Sequence, residues 1–318
     1  IRGLGARYNS VLINDVIAPS TEIDTRSFSF DLVPSNILDR MIVYKSGLAE
    51  LPGDFAGGVV KIYTKRRPEQ NYLDVGLTIG YREGTTGRSV QTHERGGLNL
   101  LGLWDRTQQL PTSFPTSAAE FNNQTPVRRA SFARLLPNNW ALQQITAAPD
   151  VRLAINTGRR FDMGDVKLSN ITSFNYSVAN QFANVDLRLY ENGTTANDIQ
   201  QQYNDANFTR STRVGLLHNW TARFSPNFSL EWKTQFNQLG NTQTIGRTGQ
   251  FVVDGQEVQS FSQRFENRSI LTSQVLGEHT LNELTKVNWI ASYGYSGRWE
   301  PDWRRARYIR TLGSTGPD

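Results

Sequence analysis

The sequence contains no cysteine, so it offers neither a disulfide framework nor a thiolate metal site. Histidine is almost as scarce: His93, His218 and His279 stand far apart, without the spacing of metal ligands, which argues against a zinc or iron site. No run of about 18 apolar residues occurs, so no transmembrane helix is predicted. Apolar residues make up 37% of the 318 positions, below the roughly 45–50% of globular domains. The composition indicates no metal and no other cofactor.

Charge of one sign is not concentrated anywhere. Basic residues outnumber acidic ones by 34 to 29, which gives a formal net charge of +5. A basic balance can indicate nucleic acid or an anionic surface as partner. Here the basic residues form short clusters without any nucleic-acid motif, at 65–67, 128–129, 159–160 and 304–307. No pair of carboxylates stands in an acid/base setting, and no Ser–His–Asp order is evident. We therefore expect neither a nucleic-acid-binding protein nor an enzyme.

From about residue 71 onward the sequence alternates with a period of two, which is typical of strands with two different faces. In 73–81 the odd positions are apolar or aromatic, and the even ones are Asp, Gly or Thr. The same alternation, weaker in one segment, predicts strands at 73–81, 151–163, 166–182, 214–224, 228–238, 269–280 and 287–299. Several of these are longer than the roughly five or six residues usual in globular proteins. A mostly β fold is predicted.

The connections between these strands are predicted to alternate between short and long. Turn residues predict short connections at 164–165, 225–227 and near 282–283. Long connections are predicted at 82–150, 183–212 and 240–268. Outer-membrane barrels alternate in this way, with short periplasmic turns and long extracellular loops. Aromatic residues near strand ends fit the girdles of such barrels, namely Tyr81, Phe161, Phe182, Phe224, Phe228 and Trp299. The alternative is a soluble β-sandwich with these aromatic residues in its core.

The first 65 residues differ and predict a small α+β unit. Residues 11–17 indicate two short strands around a turn at Asn14 and Asp15. The other predicted elements are a helical start at 34–38, with Ser35 as N-cap, and strands at 41–44 and 57–64. A boundary therefore separates residues 1–67 from a second domain at 71–318.

The same residues carry a resemblance to a known family. In chain order they are 1–3 (Ile-Arg-Gly), 8–15 (Tyr-Asn-Ser-Val-Leu-Ile-Asn-Asp), 38–47 (Leu-Asp-Arg-Met-Ile-Val-Tyr-Lys-Ser-Gly) and 51–65 (Leu-Pro-Gly-Asp-Phe-Ala-Gly-Gly-Val-Val-Lys-Ile-Tyr-Thr-Lys). In order, spacing and closing Gly-Gly strand, this set resembles the plug of TonB-dependent outer-membrane receptors. The Leu-Pro-Gly-Asp-Phe variant looks like Bacteroidetes-type members.

The resemblance implies a fold and a function. Residues 1–67 would be the C-terminal part of a plug domain, and 71–318 the N-terminal part of a membrane β-barrel with about seven antiparallel strands. Such a receptor imports a scarce nutrient (an iron–siderophore, cobalamin, an oligosaccharide or a peptide) across the bacterial outer membrane. The implied partners are this ligand, outer-membrane lipid, a surface lipoprotein and a TonB-type inner-membrane energy-coupling complex, which binds a box that this chain lacks.

The resemblance also implies site residues. Ligand contacts are expected at the plug apex, from Tyr8, Asn9, Pro19, Ser20, Thr21, Glu22, Arg26, Leu48, Glu50 and Asp54. Arg2 and Lys45 match positions where the family keeps basic residues against barrel carboxylates, which are expected on strands beyond this chain. The family usually has Arg where Lys45 stands, so a bidentate contact is not expected there. No catalytic or metal-binding residue is implied.

A single-chain barrel needs an even number of at least eight strands, so the resemblance predicts that about seven strands form an incomplete wall.

Two other interpretations of the sequence stay open. A soluble or surface-exposed β-rich binding module, such as an adhesin, would show the same alternation after a chance plug-like start. A secreted glycan-active enzyme on a β-scaffold would need two apposed carboxylates.

Overall fold

The computed structural model describes residues 8–20, 38–53, 57–93, 96–105, 108–136, 139–191 and 198–314. These residues are mostly β-structure, arranged in a four-stranded sheet, a seven-stranded sheet and a two-stranded hairpin. The predicted β class is confirmed. Within these ranges, no helix combines the length and the apolar character that crossing a membrane requires.

Thirteen strands account for most of the described residues. In chain order they are β1 (Asn9–Ile13), β2 (Val16–Ile17), β3 (Leu38–Tyr44), β4 (Gly58–Thr64), β5 (Tyr72–Gly80), β6 (Ser89–His93), β7 (Leu142–Thr146), β8 (Asp150–Met163), β9 (Val166–Tyr190), β10 (Ile199–Ser225), β11 (Phe228–Phe251), β12 (Gln256–Thr280) and β13 (Lys286–Thr311). The strands β9 to β13 are far longer than the roughly five or six residues usual in globular proteins.

The first four strands form the small sheet, in the order β2-β1-β4-β3. Strands β1 and β4 are parallel, and the other neighbours are antiparallel. Asn14 and Asp15 both have positive φ, 48° and 68°, and they join β1 to β2 through the tight turn that the sequence predicted. The core of this sheet is aliphatic and consists of Val11, Leu12, Ile13, Leu51, Val59, Val60 and Ile62.

Gly57 shows why glycine is needed where β4 begins. A Cβ atom at this position would collide with the side chain of Asn9. The Gly57 N–H donates to the carbonyl of Tyr8 at 2.9 Å, which holds the two chain segments together. The glycine is required by this close approach of the backbone to a neighbouring segment.

The sequence predictions for this region have different outcomes. The strands predicted at 41–44 and 57–64 are confirmed as parts of β3 and β4. Residues 34–37 of the predicted helical start, with its N-cap Ser35, lie outside the described residues. Leu38, its last residue, is already the first residue of β3, so a helix does not extend that far.

The seven-stranded sheet, here called the large sheet, contains every strand that the alternation from residue 71 predicted. Its order is β5-β8-β9-β10-β11-β12-β13, and all neighbouring strands are antiparallel. The described strands do not close on themselves, because β5 and β13 are the two edges. An antiparallel sheet of about seven strands is therefore confirmed, as an open sheet.

Two of the predicted long connections are wrong. Residues 183–190, 199–212, 240–251 and 256–268 are strand, so the segments that join these strands are only 191–198 and 252–255. The apolar–polar alternation ends partway along these strands. The ladder of hydrogen bonds continues, because it depends on the backbone and not on side-chain polarity. The predicted short turns are confirmed, at 164–165, 226–227 and 281–285.

The remaining long connection is present and folded. Residues 81–149, here called the insert, join β5 to β8 and contain the hairpin β6–β7, a 3-10 helix (Gly97–Leu101) and the helices α1 (Ala118–Asn122) and α2 (Pro126–Ala133). Side chains cap both α-helices: Ser117 accepts from the Glu120 N–H, and Thr125 accepts from the Arg128 N–H. The insert is thus an ordered element with its own local signals.

The large sheet has two chemically different faces. Residues directly opposite each other on neighbouring strands point to the same face. One row of the polar face is Asn219, Lys233, Gln274 and Ser292, and the adjacent row of the apolar face is Trp220, Trp232, Val275 and Ala291. The small sheet lies on the polar face, where Gln274 donates to the Ile13 carbonyl at 2.9 Å. The insert lies on the apolar face.

The insert docks on the half of the apolar face that is farther from the short turns. Gly102, with φ of 73°, ends the 3-10 helix and lies so close to Gly240 of β11 that a Cβ on Gly240 would collide with the Gly102 backbone. Gln238 donates to the Gly102 carbonyl at 2.7 Å, and His93 Nδ1 lies 2.8 Å from Thr244 Oγ1. These contacts fix the insert to β11.

Replacing Gly240 by alanine is expected to loosen the insert. The new methyl group would overlap backbone atoms of Gly102, which cannot rotate away, so we expect a cost of about 1–3 kcal/mol. Hydrogen exchange of the amides in 88–103 should become faster. The matched control is Gly246→Ala on the same strand, where the new Cβ meets only the flexible Gln91 Oε1 at 3.3 Å. Equal exchange in both variants would contradict this role of the glycine contact.

Candidate functional site at the polar face

The polar face is buried although its side chains are polar. In the half nearest the short turns, the residues of β9 to β12 that point to the small sheet are mainly Ser, Thr, Asn, Gln, Glu and Lys. The buried members are Ser169, Ser173, Asn219, Thr221, Ser229, Glu231, Lys233, Gln235, Asn237, Thr272 and Gln274. Buried polar groups normally have hydrogen-bond partners. The small sheet and the residues that follow it provide many of them.

Side chains of the polar face bind backbone carbonyls of the small sheet and its C-terminal extension. The Asn219 amide donates to the Lys65 carbonyl at 2.9 Å, and the Thr221 hydroxyl donates to the Arg66 carbonyl at 3.2 Å. Asn219 Nδ2 also lies 3.5 Å from Thr64 Oγ1. Because the acceptors are mostly backbone atoms, these bonds position the small sheet with little dependence on its side chains.

Arg66 makes the strongest link between the small-sheet region and the large sheet. Its Nε donates to Glu231 Oε2 at 3.0 Å, and a terminal nitrogen lies 2.8 Å from Oε1, which is a bidentate contact. The same guanidinium reaches Glu278 at 2.8 Å. Lys233 Nζ lies 3.1 Å from Glu231, and the two side chains are only 6% and 3% exposed. Each of these two buried charges depends on its partners for stabilisation.

A second charged cluster lies on the small sheet. Asp15, placed by the tight turn, accepts from Lys61 at 2.9 Å and from the Tyr63 hydroxyl at 2.8 Å. Lys61 also lies 3.2 Å from Glu50. Burial acts to lower the pKa of Lys61, but its hydrogen bonds to Asp15 and Glu50 outweigh that effect and raise the pKa above the ordinary value. The lysine therefore stays protonated and holds the turn to the sheet.

Some polar atoms between the two sheets lack a partner. Among the described residues, neither polar atom of the Gln235 side chain has a hydrogen-bond partner, and the same holds for Asn237 Nδ2 and Gln274 Oε1. An unpaired buried amide costs about 1–3 kcal/mol. We infer that, among the described residues, strong polar contacts and one aliphatic contact, in which Leu38 packs against Ile171 and Leu217, hold the small sheet to the large one.

The residues predicted to bind ligand are placed only in part. Tyr8 and Leu48 are exposed, and Asn9, Pro19 and Ser20 are half-buried. Glu50 is exposed as well, and its carboxylate pairs with Lys61. The other predicted positions, Arg2, Thr21, Glu22, Arg26 and Asp54, lie outside the described residues. The ligand-binding role of the whole set stays a prediction.

The ionic contact to the large sheet is made by a residue that the sequence did not single out. Lys45 is exposed and forms no ion pair within the described part of the chain, and its predicted contact stays a prediction. Arg66 pairs with Glu231 and Glu278, which lie on strands of this chain. Glu231 and Lys233 did stand out at alternate positions of a predicted strand. The pairing of Glu231 with Arg66, about 165 positions away, leaves no local pattern.

Where the insert does not cover it, the apolar face is exposed or half-buried, and one row across it is polar, with Thr172, His218, Thr234 and Ser273. Its exposed large side chains are Leu73, Val75, Leu77, Ile79, Phe161, Met163, Leu216, Phe224, Trp232, Val287, Trp289, Tyr293, Tyr295 and Trp299. This band covers about residues 214–224 of β10 and 228–236 of β11, between the short turns and the insert. Within its described rows the one charged side chain is Arg159, which lies in the same row as Asn170 and Trp220.

The two histidines of this band are hydrogen-bonded to tryptophans. His218 Nε2 accepts from the Trp220 indole N–H at 2.9 Å, and His279 Nε2 accepts from the Trp289 indole N–H at 3.2 Å. His279 also stacks on Phe228, with ring centroids 4.5 Å apart. Because each Nε2 atom already accepts a hydrogen bond from a tryptophan of the band, this atom does not need a water molecule as its partner.

No protein-family model and no curated protein matches this sequence. The functional argument therefore rests on the residues and on their arrangement.

Proposed function

We propose that this chain is part of a TonB-dependent outer-membrane receptor of the bacterial outer membrane. In this proposal the large sheet is a section of a membrane-spanning barrel wall, and the small sheet belongs to the plug inside the barrel. The receptor binds a scarce nutrient at the cell surface and imports it when an inner-membrane complex pulls on the plug. The protein contributes binding and movement and performs no covalent chemistry.

The observation that carries the proposal is the inverted polarity of the large sheet. On β10 and β11 the polar face is buried and charged, as with Glu231 and Lys233, whereas the opposite face exposes large apolar side chains, as with Trp232 at 47% and Leu216 at 38%. Soluble monomers rarely expose apolar patches of more than a few hundred Å². Each such side chain would gain about 1.5–3 kcal/mol on leaving water. A barrel wall, with lipid outside and a polar lumen inside, requires this arrangement.

The height of the exposed band supports a membrane position. It covers about residues 214–224 on β10 and 228–236 on β11, close to the roughly 9–11 residues of a tilted transmembrane strand. Aromatic side chains lie at the short-turn end of the band, where Phe224 stacks on Phe228 with centroids 5.1 Å apart. This arrangement fits an interfacial girdle at the periplasmic side. The insert and the far halves of the long strands would then project from the cell surface.

The position of the small sheet supports the plug assignment. It lies on the polar face, which would be the lumen side, and it contains the residues that resemble the family's plug. A small domain held there by a bidentate arginine and a few carbonyl contacts suits a plug that must be displaced during transport. An iron–siderophore, cobalamin, an oligosaccharide or a peptide all remain candidate ligands.

A surface-exposed adhesin module is the second candidate. One feature of the folded insert favours this candidate: α2 presents Val127, which is 81% exposed, together with two arginines, and such side chains can contact a partner molecule. This alternative requires that another surface cover the apolar band, or that the protein be soluble without detergent. The two proposals therefore differ in the environment of the band.

The environment of the band can be measured with single cysteines, since the chain has none of its own. Leu77 and Thr78 are adjacent exposed residues on opposite faces of β5. In outer-membrane vesicles we expect a cysteine at Thr78 to react with a charged maleimide and a cysteine at Leu77 to be protected by lipid. Both should react after denaturation in detergent and urea. Equal reaction at both positions in the intact vesicles would overturn the membrane proposal.

A further inference from the structure

The insert carries an exposed apolar turn at the upper limit of the band. The turn comprises residues 97–104, with the 3-10 helix at Gly97–Leu101. The hydroxyl of Tyr176 donates to the Leu100 carbonyl at 2.8 Å. Tyr176 lies directly opposite Val214, which is the last apolar position of β10 before the insert covers the sheet. The turn is therefore continuous with the exposed apolar face of the large sheet.

The side chains of this turn are unusually apolar for an exposed segment. Leu98, Leu100 and Leu101 are 46%, 55% and 47% exposed. Residues 96–104 contain no charged side chain, and the nearest carboxylate, that of Asp105, lies against Gly96 and away from the three leucines in sequence. In water, the exposed leucines would add to the unfavourable free energy of hydration of the apolar surface beside them. The cost disappears if the leucines leave water together with the band.

Several polar groups of the turn have hydrogen-bond partners within the protein. The side chain of Asn99 is buried and donates to the Leu103 carbonyl at 2.8 Å and to Gln108 Oε1 at 2.9 Å, and its oxygen accepts from the Gly96 N–H at 3.1 Å. The Gly102 N–H donates to the Asn99 carbonyl at 3.1 Å. A segment can enter an apolar medium only when its polar groups already have partners.

The turn is held at a fixed height on the sheet. Gly102 lies against Gly240, and Gln238 donates to the Gly102 carbonyl at 2.7 Å. The leucines that precede Gly102 therefore do not depend on a flexible tether for their position. A rigid apolar projection at the rim of a membrane-facing band is suited to contact with the outermost part of the acyl chains.

We propose that residues 97–101 form an interfacial anchor, which inserts Leu98, Leu100 and Leu101 among lipid acyl chains at the outer rim of the apolar band. This inference rests on the proposed membrane position of the large sheet. Amphipathic segments of this kind lie with their apolar side roughly 5–10 Å inside the headgroup boundary. The anchor would fix the height of the wall in the bilayer and hold the rest of the insert above the surface.

The test uses single cysteines labelled with a small fluorophore at Leu100, Leu77 and Val127. The complete protein is reconstituted in phosphatidylcholine vesicles, with and without phosphatidylcholine that carries a doxyl group near the start of the acyl chain. Leu77 reports on the band, and Val127, which is 81% exposed on α2, reports on the aqueous side of the insert. We expect doxyl lipid to quench labels at Leu77 and Leu100 about twofold and to leave the Val127 label unchanged.

The possible results distinguish a failure of the anchor from a failure of the proposed membrane position of the large sheet. Quenching at Leu77 without quenching at Leu100 overturns the anchor and leaves the membrane position standing. A blue-shifted Leu100 label that lipid does not quench means that protein covers the turn, and it also overturns the anchor. Absence of quenching at both positions overturns the membrane position together with the anchor. A label at Leu98 repeats the test if the Leu100 variant does not fold.

Discussion

Replacing Glu231 by glutamine is expected to lower the free energy of unfolding by about 3–5 kcal/mol, because it leaves the buried ammonium of Lys233 without its counter-charge. It also removes the bidentate acceptor of Arg66. Lys233 is 6% exposed, so water cannot replace the lost partner. The measurement is a urea titration in detergent micelles, followed by circular dichroism.

Two control variants make this result specific. Glu278→Gln removes the other carboxylate that Arg66 contacts, but this side chain is half exposed, so we expect a loss of about 1 kcal/mol or less. Glu231→Gln combined with Lys233→Met removes both buried charges, and it should recover part of the stability lost in the single variant. Equal losses for Glu231→Gln and Glu278→Gln would show that the buried pair has no special role in holding the fold.

In the proposed receptor, a disulfide between the small sheet and the barrel wall that the large sheet would form is expected to abolish uptake and to leave the fold intact. Asn219 Nδ2 lies 3.5 Å from Thr64 Oγ1, so cysteines at these two positions face each other across the interface. The native chain has no cysteine that could compete. If the small sheet must leave the wall during transport, the oxidised double variant holds it in place, and a reducing agent releases it.

Growth provides the readout for this lock. Cells that depend on this gene would be grown with limiting iron, with limiting cobalamin, or with an oligosaccharide or a peptide as the only carbon source. In the condition that requires the receptor, the oxidised double variant should grow no better than a strain without the gene, and reduction should restore growth. The single variants Thr64→Cys and Asn219→Cys lose the same hydrogen bonds but form no crosslink, so they should grow better than the oxidised double variant and should not respond to the reducing agent. Normal growth of a fully crosslinked variant would contradict plug displacement and favour the adhesin alternative.

The ion pairs and the amides of the polar face together determine how strongly the two sheets resist separation. Arg66, Glu231 and Lys233 hold the small sheet at one place, whereas Gln235 and Asn237 nearby have side-chain atoms without a partner among the residues that the structure describes. An aliphatic interface of the same size would resist separation through many small contributions. A polar interface concentrates its stability in few contacts, which can be broken one after another.

The alternation of apolar and polar residues was enough to predict the seven strands of the large sheet and their two faces. This pattern is local, because side chains on a strand point to opposite faces at every step. The turn at Asn14 and Asp15 was predictable for the same reason, since its backbone conformation depends on the residues at the turn itself. The two sides of 214–224, with Trp220 on one and Asn219 on the other, follow from the amino-acid sequence alone.

Only the tertiary structure decided how far the strands extend and which charges meet. Residues 199–213 of β10 continue the ladder with mostly polar side chains, and the insert, from about a hundred positions earlier, covers one face there by packing Val90 and Ala147 on Phe208. The pairing of Arg66 with Glu231, across about 165 positions, likewise depends on the small sheet lying on the polar face. The period-two pattern indicates the polarity of the environment on each face of a strand. It carries no information about which distant segment will supply the partner.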